Sequence, residues 1–158
     1  MRKSIIGLVS GAVGATASAI LIGHNDNKKI EKSQKLADKH LLILQNMNQW
    51  LCLKQKGKTL RPYFDEYGYK NVAIYGMSYL GERLYDDLKE IGITVAYAVD
   101  KNATNLYSDI EIYSPDEELP KVDAIIVTAT YFIDEIEETL SQNNDFPIVP
   151  IEDILYFE

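Results

Sequence analysis

Residues 71–100 read NVAIYGMSYLGERLYDDLKEIGITVAYAVD, and their order of strand, glycine turn, helix and strand decides the fold. Val72, Ala73, Ile74 and Tyr75 form a nearly unbroken apolar run, the pattern of a strand buried on both faces of a parallel sheet. The turn that follows, Gly76-Met77-Ser78-Tyr79-Leu80-Gly81, matches the dinucleotide fingerprint G-x-G-x-x-G at its first and third glycines and carries Ser78 at the second. A helix is predicted from about Ser78 to Ile91, with Leu80, Leu84, Leu88 and Ile91 on one face and Gly92 as its stop. A second strand, Thr94 to Val99, then ends in Asp100, about twenty residues past the glycine turn, where this fold holds a ribose hydroxyl.

Downstream, Ile110 to Tyr113 reads as a short third strand, and Ser114-Pro115-Asp116-Glu117 as a helix start, with a cap, a proline at the first helical position and a glutamate at the third. Asp123 to Thr128 is a fourth strand, Phe132 to Leu140 a helix, and Pro147 to Ile151 a fifth strand before a last turn, Glu152 to Tyr156. The expectation is an α/β chain with one Rossmann-like, doubly wound sheet of five parallel strands ordered 3-2-1-4-5, spanning residues 70–158.

Upstream, Ser4 to Gly23 carries no charge and has about the length a helix needs to cross a bilayer core of ~30 Å. It reads as a transmembrane anchor, residues 1–25, followed by a helical linker region, residues 26–69. Gly7, Gly11, Ala15, Ala19 and Gly23 recur every fourth position, a stripe of small residues that would let two membrane helices approach closely. The rival reading is a signal peptide with Arg2 and Lys3 as its n-region and cleavage near Ala17-Ser18-Ala19. Lys28, Lys29, Lys32, Lys35 and Lys39 after the span outnumber Arg2 and Lys3 before it, which orients the bulk of the chain toward the cytoplasm at an inner membrane.

Asn25 or Asp26 is expected to cap an amphipathic helix running to about Gln55 and stopped by Gly57. Positions 41, 44, 48 and 51 follow a heptad step that Asn48 interrupts, and packing of this helix against the α/β part is the favoured reading. A short helix capped by Thr59 and closed by Gly68 leads into the first strand.

The net charge of −8 divides unevenly: residues 1–69 hold 11 basic and 5 acidic side chains, and residues 70–158 hold 5 basic and 19 acidic. An acidic α/β part repels a phosphate backbone, so nucleic acid is not an expected partner. The single Cys52 cannot form an internal disulfide, and the only histidines, His24 and His40, lie outside residues 70–158, so no metal site is expected.

Residues 70–158 resemble the small Rossmann-like domains of bacterial surface-polysaccharide biosynthesis. Two relatives are the N-terminal nucleotide-sugar-binding domain of sugar N-acetyltransferases and the C-terminal domain of nucleotide-sugar C-methyltransferases. The likeness is carried by Ala73-Ile74-Tyr75-Gly76, Val99-Asp100-Lys101-Asn102, Ile112 to Leu119, and Asp123 to Thr128. It implies that Gly76, Met77, Ser78 and Tyr79 after the first strand and Asp100 after the second contact a nucleotide or nucleotide-sugar. Ser78 departs from the pattern, and neither a left-handed β-helix nor a methyltransferase domain accompanies these residues.

The site expected from the residues themselves lies at the carboxyl ends of the strands, where Gly76 to Tyr79, Gly81, Asp100, Lys101, Thr128, Ala129 and Tyr131 converge. An anionic group would sit at the Ser78 end of the helix and a ribose at Asp100, which would repel a 2′-phosphate, so NAD or a UDP-sugar is expected over NADP. Tyr85 and Lys89 spell Y-x-x-x-K but fall on the helix directly after the glycine turn, away from the place a dehydrogenase tyrosine occupies. With no His or Cys in residues 70–158, no catalytic residue stands out.

The expected function is a membrane-tethered, cytoplasmic nucleotide- or nucleotide-sugar-binding accessory protein of surface-polysaccharide biosynthesis. The alternatives are a sugar-nucleotide-modifying oxidoreductase or transferase completed by a partner, or an interaction module with an empty pocket. Expected partners are the ligand, the membrane through residues 4–23, and a second copy of the chain or a polysaccharide-biosynthesis protein.

Overall fold

The computed structural model describes residues 28–103, 109–142 and 144–157 in full, and residues 2–27 by their helical backbone alone. The chain divides into two units, Met1–Leu41 and Leu42–Glu158. One helix, α1, runs without a break from Arg2 to Gln55, so no helix begins at Asn25 or Asp26. The uncharged stretch 4–23 and its stripe of small residues lie outside the fully described residues; among the described residues no helix is long and apolar enough to cross a membrane. In the first unit the described part is an exposed helix surface, with Lys35 paired to Glu31 one turn away at 2.8 Å.

In the second unit, α2 (Arg61–Tyr67) precedes β1 (Asn71–Tyr75), α3 (Tyr79–Glu90), β2 (Thr94–Val99), β3 (Ile112–Tyr113), β4 (Ala124–Val127), α4 (Ile133–Leu140), β5 (Ile148–Pro150) and α5 (Ile151–Leu155). The strands form one sheet, all parallel, in the order β3-β2-β1-β4-β5, as the sequence predicts. β1 lies at its centre and is covered on both faces, which is why it reads as a continuous apolar run. Val72 and Ile74 face one core with Leu80, Leu84 and Leu88 of α3, Trp50 of α1, Phe64 of α2 and Ile151, Ile154 and Leu155 of α5. Ala73 and Tyr75 face the other, built from Tyr97, Val99, Ile125, Val127, and Ile136 and Leu140 of α4. Each fully buried aliphatic side chain in these layers contributes about 1.5–3 kcal/mol relative to exposure.

Two further local expectations fail. The Ser114-Pro115 segment makes a turn rather than a helix: the Glu117 N–H donates to the Ser114 carbonyl at 3.1 Å and the Glu117 carboxylate accepts from the Ser114 N–H at 2.9 Å. Its capping signal is complete, but Pro120 stands too soon after it for a helix to propagate, and Leu119 and Val122 are drawn into the core instead. Thr59 does not cap α2. The N-cap is Leu60, which makes no capping hydrogen bond, with Pro62 in the first turn; the helix closes as expected at Gly68, φ 70°.

Candidate functional site

The turn after β1 is built around two glycines with different duties. Gly76 has φ +96°, a conformation L-residues rarely adopt, and a Cβ there would come within 2.8 Å of Thr128 Oγ1. A Cβ on Gly81 would run into the Gly76 carbonyl oxygen, so this glycine lets α3 lie directly against the turn. Ser78, in the middle position, is the N-cap residue of α3; it is exposed and its hydroxyl makes no capping bond. The missing second glycine is therefore accommodated without a collision inside the protein.

The turn is held from three directions. Gly76 N–H donates to the Val99 carbonyl at 2.8 Å, and the Thr128 hydroxyl is shared between the carbonyls of Gly76 at 2.7 Å and Tyr75 at 3.1 Å. Met77 N–H donates to Asp100 Oδ2 at 2.9 Å. The other carboxylate oxygen, Oδ1, accepts from Asn102 N–H at 2.8 Å. Asp100 thus ties the glycine turn to the loop after β2, and each of its oxygens keeps a second lone pair.

These segments open onto a cleft of about 220 Å³ at the carboxyl edge of the sheet, lined by Tyr75, Gly76, Asp100, Lys101, Asn102, Ala129, Phe132 and Ile136. Across it Lys101 Nζ meets Glu135 Oε1 at 2.6 Å, an ion pair on exposed side chains. That carboxylate holds the Lys101 ammonium above its usual range. Tyr75 is 4% exposed, and its hydroxyl is buried with no hydrogen-bond partner among the described residues. Burial, the largest cause, pushes the phenol above its ordinary value; Lys101 opposes this, while Asp100, Glu135 and Asp116 add to it.

Of the residues predicted from sequence, Gly76, Asp100, Lys101 and Ala129 line the cleft. Met77 is buried in the α3-side core, and Gly81 and Thr128 build the turn from behind. Ser78 and Tyr79 are exposed at the head of α3, Tyr79 by 81%. Tyr131 does not line the cleft; it packs edge-on against Phe132, which does, at a centroid separation of 5.2 Å. Sequence reasoning missed Tyr75, Asn102, Phe132 and Ile136. The first was absorbed into a strand pattern and the last two into a helix pattern, although a hydroxyl in an otherwise apolar run was a usable signal.

Tyr85 and Lys89 stay on α3, the ammonium 5.9 Å from the ring centroid, and do not line the cleft. Among the described residues no cluster of His, Cys, Asp or Glu could hold a metal ion.

The sheet order and the position of the cleft define the class: an α/β domain with a doubly wound parallel sheet and an opening at the carboxyl ends of its central strands. No family model, curated protein or solved structure matches the chain, so residues and geometry carry the functional argument.

Proposed function

We propose that this chain is a nucleotide- or nucleotide-sugar-binding accessory protein of surface-polysaccharide biosynthesis, whose Rossmann-like domain is held at the cytoplasmic face of a membrane by residues 4–23. The observation that carries the reading is Asp100. Its carboxylate lines the cleft, is fixed by the N–H groups of Met77 and Asn102, and retains an acceptor site on each oxygen for the vicinal hydroxyls of a ribose. The phosphate lies toward Ser78, where the first turn of α3 presents backbone N–H groups. The cleft, about 220 Å³, falls below the ~300–1,000 Å³ typical of sites for drug-sized ligands, which favours a mononucleotide unit such as that of a UDP-sugar over the whole of NAD. The membrane tether is supported by the uncharged stretch and the lysines that follow it.

Calorimetry on the full chain in detergent, with UDP-glucose, UDP-N-acetylglucosamine, NAD and NADP, tests the reading. A UDP-sugar should bind, more tightly than NAD, and NADP should not bind, because Asp100 repels a 2′-phosphate. Asp100→Ala should weaken binding by about 1–3 kcal/mol, the range for hydrogen bonds to a charged group. Binding of none of the four compounds leaves the interaction-module alternative. Equal affinity of wild type and Asp100→Ala, or a preference for NADP, removes the ribose from Asp100.

A further inference from the structure

The phenol of Tyr75 is the one cleft-lining group whose hydrogen-bonding capacity is buried and unspent among the described residues. A buried hydroxyl without a partner costs on the order of 1–3 kcal/mol, and folded proteins leave few of them. Its aromatic ring is already packed by the α4-side core, so the hydroxyl adds nothing to folding that phenylalanine would lack. We propose that the Tyr75 hydroxyl holds the base of a bound nucleotide by donating a hydrogen bond to an acceptor on the base edge. This rests on the reading of the cleft as a nucleotide site, and it assigns the interior of that cleft to the base.

Three observations point to a base rather than a phosphate or a second sugar. The walls beside Tyr75 are Ala129, Phe132 and Ile136, apolar surfaces suited to the faces of a flat heteroaromatic ring. Asp100, Glu135 and Asp116 all act on the hydroxyl electrostatically, and the one cation that does so, Lys101, is already paired with Glu135, so a phosphate at this depth would be repelled. A cleft of about 220 Å³ has room for roughly one ring system once the ribose rests on Asp100. A phenol is protonated near neutral pH, and burial raises it further above that range, so Tyr75 is a donor to a ring nitrogen or carbonyl oxygen on the base edge.

The test compares the full-length wild type with Tyr75→Phe, which removes one oxygen and keeps the ring. UMP, AMP and ribose 5-phosphate are titrated by calorimetry, and the ligand-free melting temperature of each protein is recorded. The expected result is that Tyr75→Phe binds the preferred nucleotide roughly tenfold more weakly. Ribose 5-phosphate should bind both proteins alike, weakly or not at all, and the variant without ligand should melt no lower than wild type. Equal nucleotide affinity overturns the proposal, as does an equal loss for ribose 5-phosphate, which would put the hydroxyl on the ribose. A lowered ligand-free melting temperature also overturns it, by showing that the hydroxyl is engaged inside the protein. If wild type binds neither UMP nor AMP, the nucleotide reading itself fails and takes this one with it.

Discussion

Gly81 sits where a side chain has no room, because the obstacle is the Gly76 carbonyl, a backbone atom that cannot swing aside. Gly81→Ala should therefore force α3 away from the turn and lower stability by about 1–3 kcal/mol in urea denaturation, as overpacked sites do. Thr128→Val, which keeps the shape of the side chain, leaves the Gly76 carbonyl without its buried hydroxyl donor, while the Tyr75 carbonyl keeps the Thr128 N–H at 3.0 Å, and should destabilise by a similar ~1–3 kcal/mol. At this scale the glycines were legible, since the spacing of Gly76 and Gly81 states both the turn and the close helix approach. What lines the cleft was not. A short 3-10 turn, Thr130–Phe132, decides that Phe132 and not Tyr131 lines it, and such a turn has no repeating period from which a facing could be read.

Between Leu42 and Gln55, α1 carries two apolar stripes, and only one is used. Ile43, Trp50 and Leu53 pack on the α/β core, with the buried Asn46 between them donating to Glu152 at 2.7 Å, whereas Leu44, Met47 and Leu51 are exposed by 65%, 41% and 56%. The heptad visible in the sequence at 41, 44, 48 and 51 is the exposed register. A pattern of apolar residues shows that a helix has a face to bury, but when two faces compete the partner surface chooses, and that surface exists only after folding. Trp50→Ala should cost about 3–5 kcal/mol, the range for emptying a buried aromatic site, measured by thermal or denaturant unfolding. A separate device joins the starts of β1 and β4: Asp123 Oδ2 accepts from the N–H groups of Lys70 and Asn71, both at 2.8 Å. The Lys70 bond first, then that of Asn71, holds the Asp123 carboxyl below its usual value. A depressed carboxylate stabilises the fold above its unfolded-state pKa, and that contribution is lost as pH falls through the lower folded-state value. Asp123→Asn should accordingly flatten the acid limb of stability below about pH 4 without removing the acceptor oxygen. Equal acid sensitivity of the two proteins would show that the charge contributes nothing there.

Across the whole molecule the sheet order was the most legible property, because a buried strand, a glycine turn, a helix and a second strand leave few right-handed ways to build outward from β1. Connections were less so, as the helical signal at Ser114 shows. The contrast between a basic first part and an acidic second part, together with residues 4–23, leads to a prediction at this scale. Cells expressing the full chain should yield it, untrimmed, in a membrane fraction that releases it only with detergent, whereas soluble recovery or a new terminus after Ala19 would end the anchor reading. The seam between α1 and α3 supplies an optical instrument. Trp50 is the chain's single tryptophan, and its indole N–H donates to Asp87 Oδ2 at 2.7 Å, beside the Lys54 ammonium that meets Asp87 Oδ1 at 2.8 Å. All intrinsic tryptophan emission therefore comes from one interior position on that seam. If residues 42–55 of α1 melt together with the sheet, the emission should move to longer wavelength in step with loss of the circular dichroism of the whole; an earlier shift would show the helix peeling away while the strands remain paired.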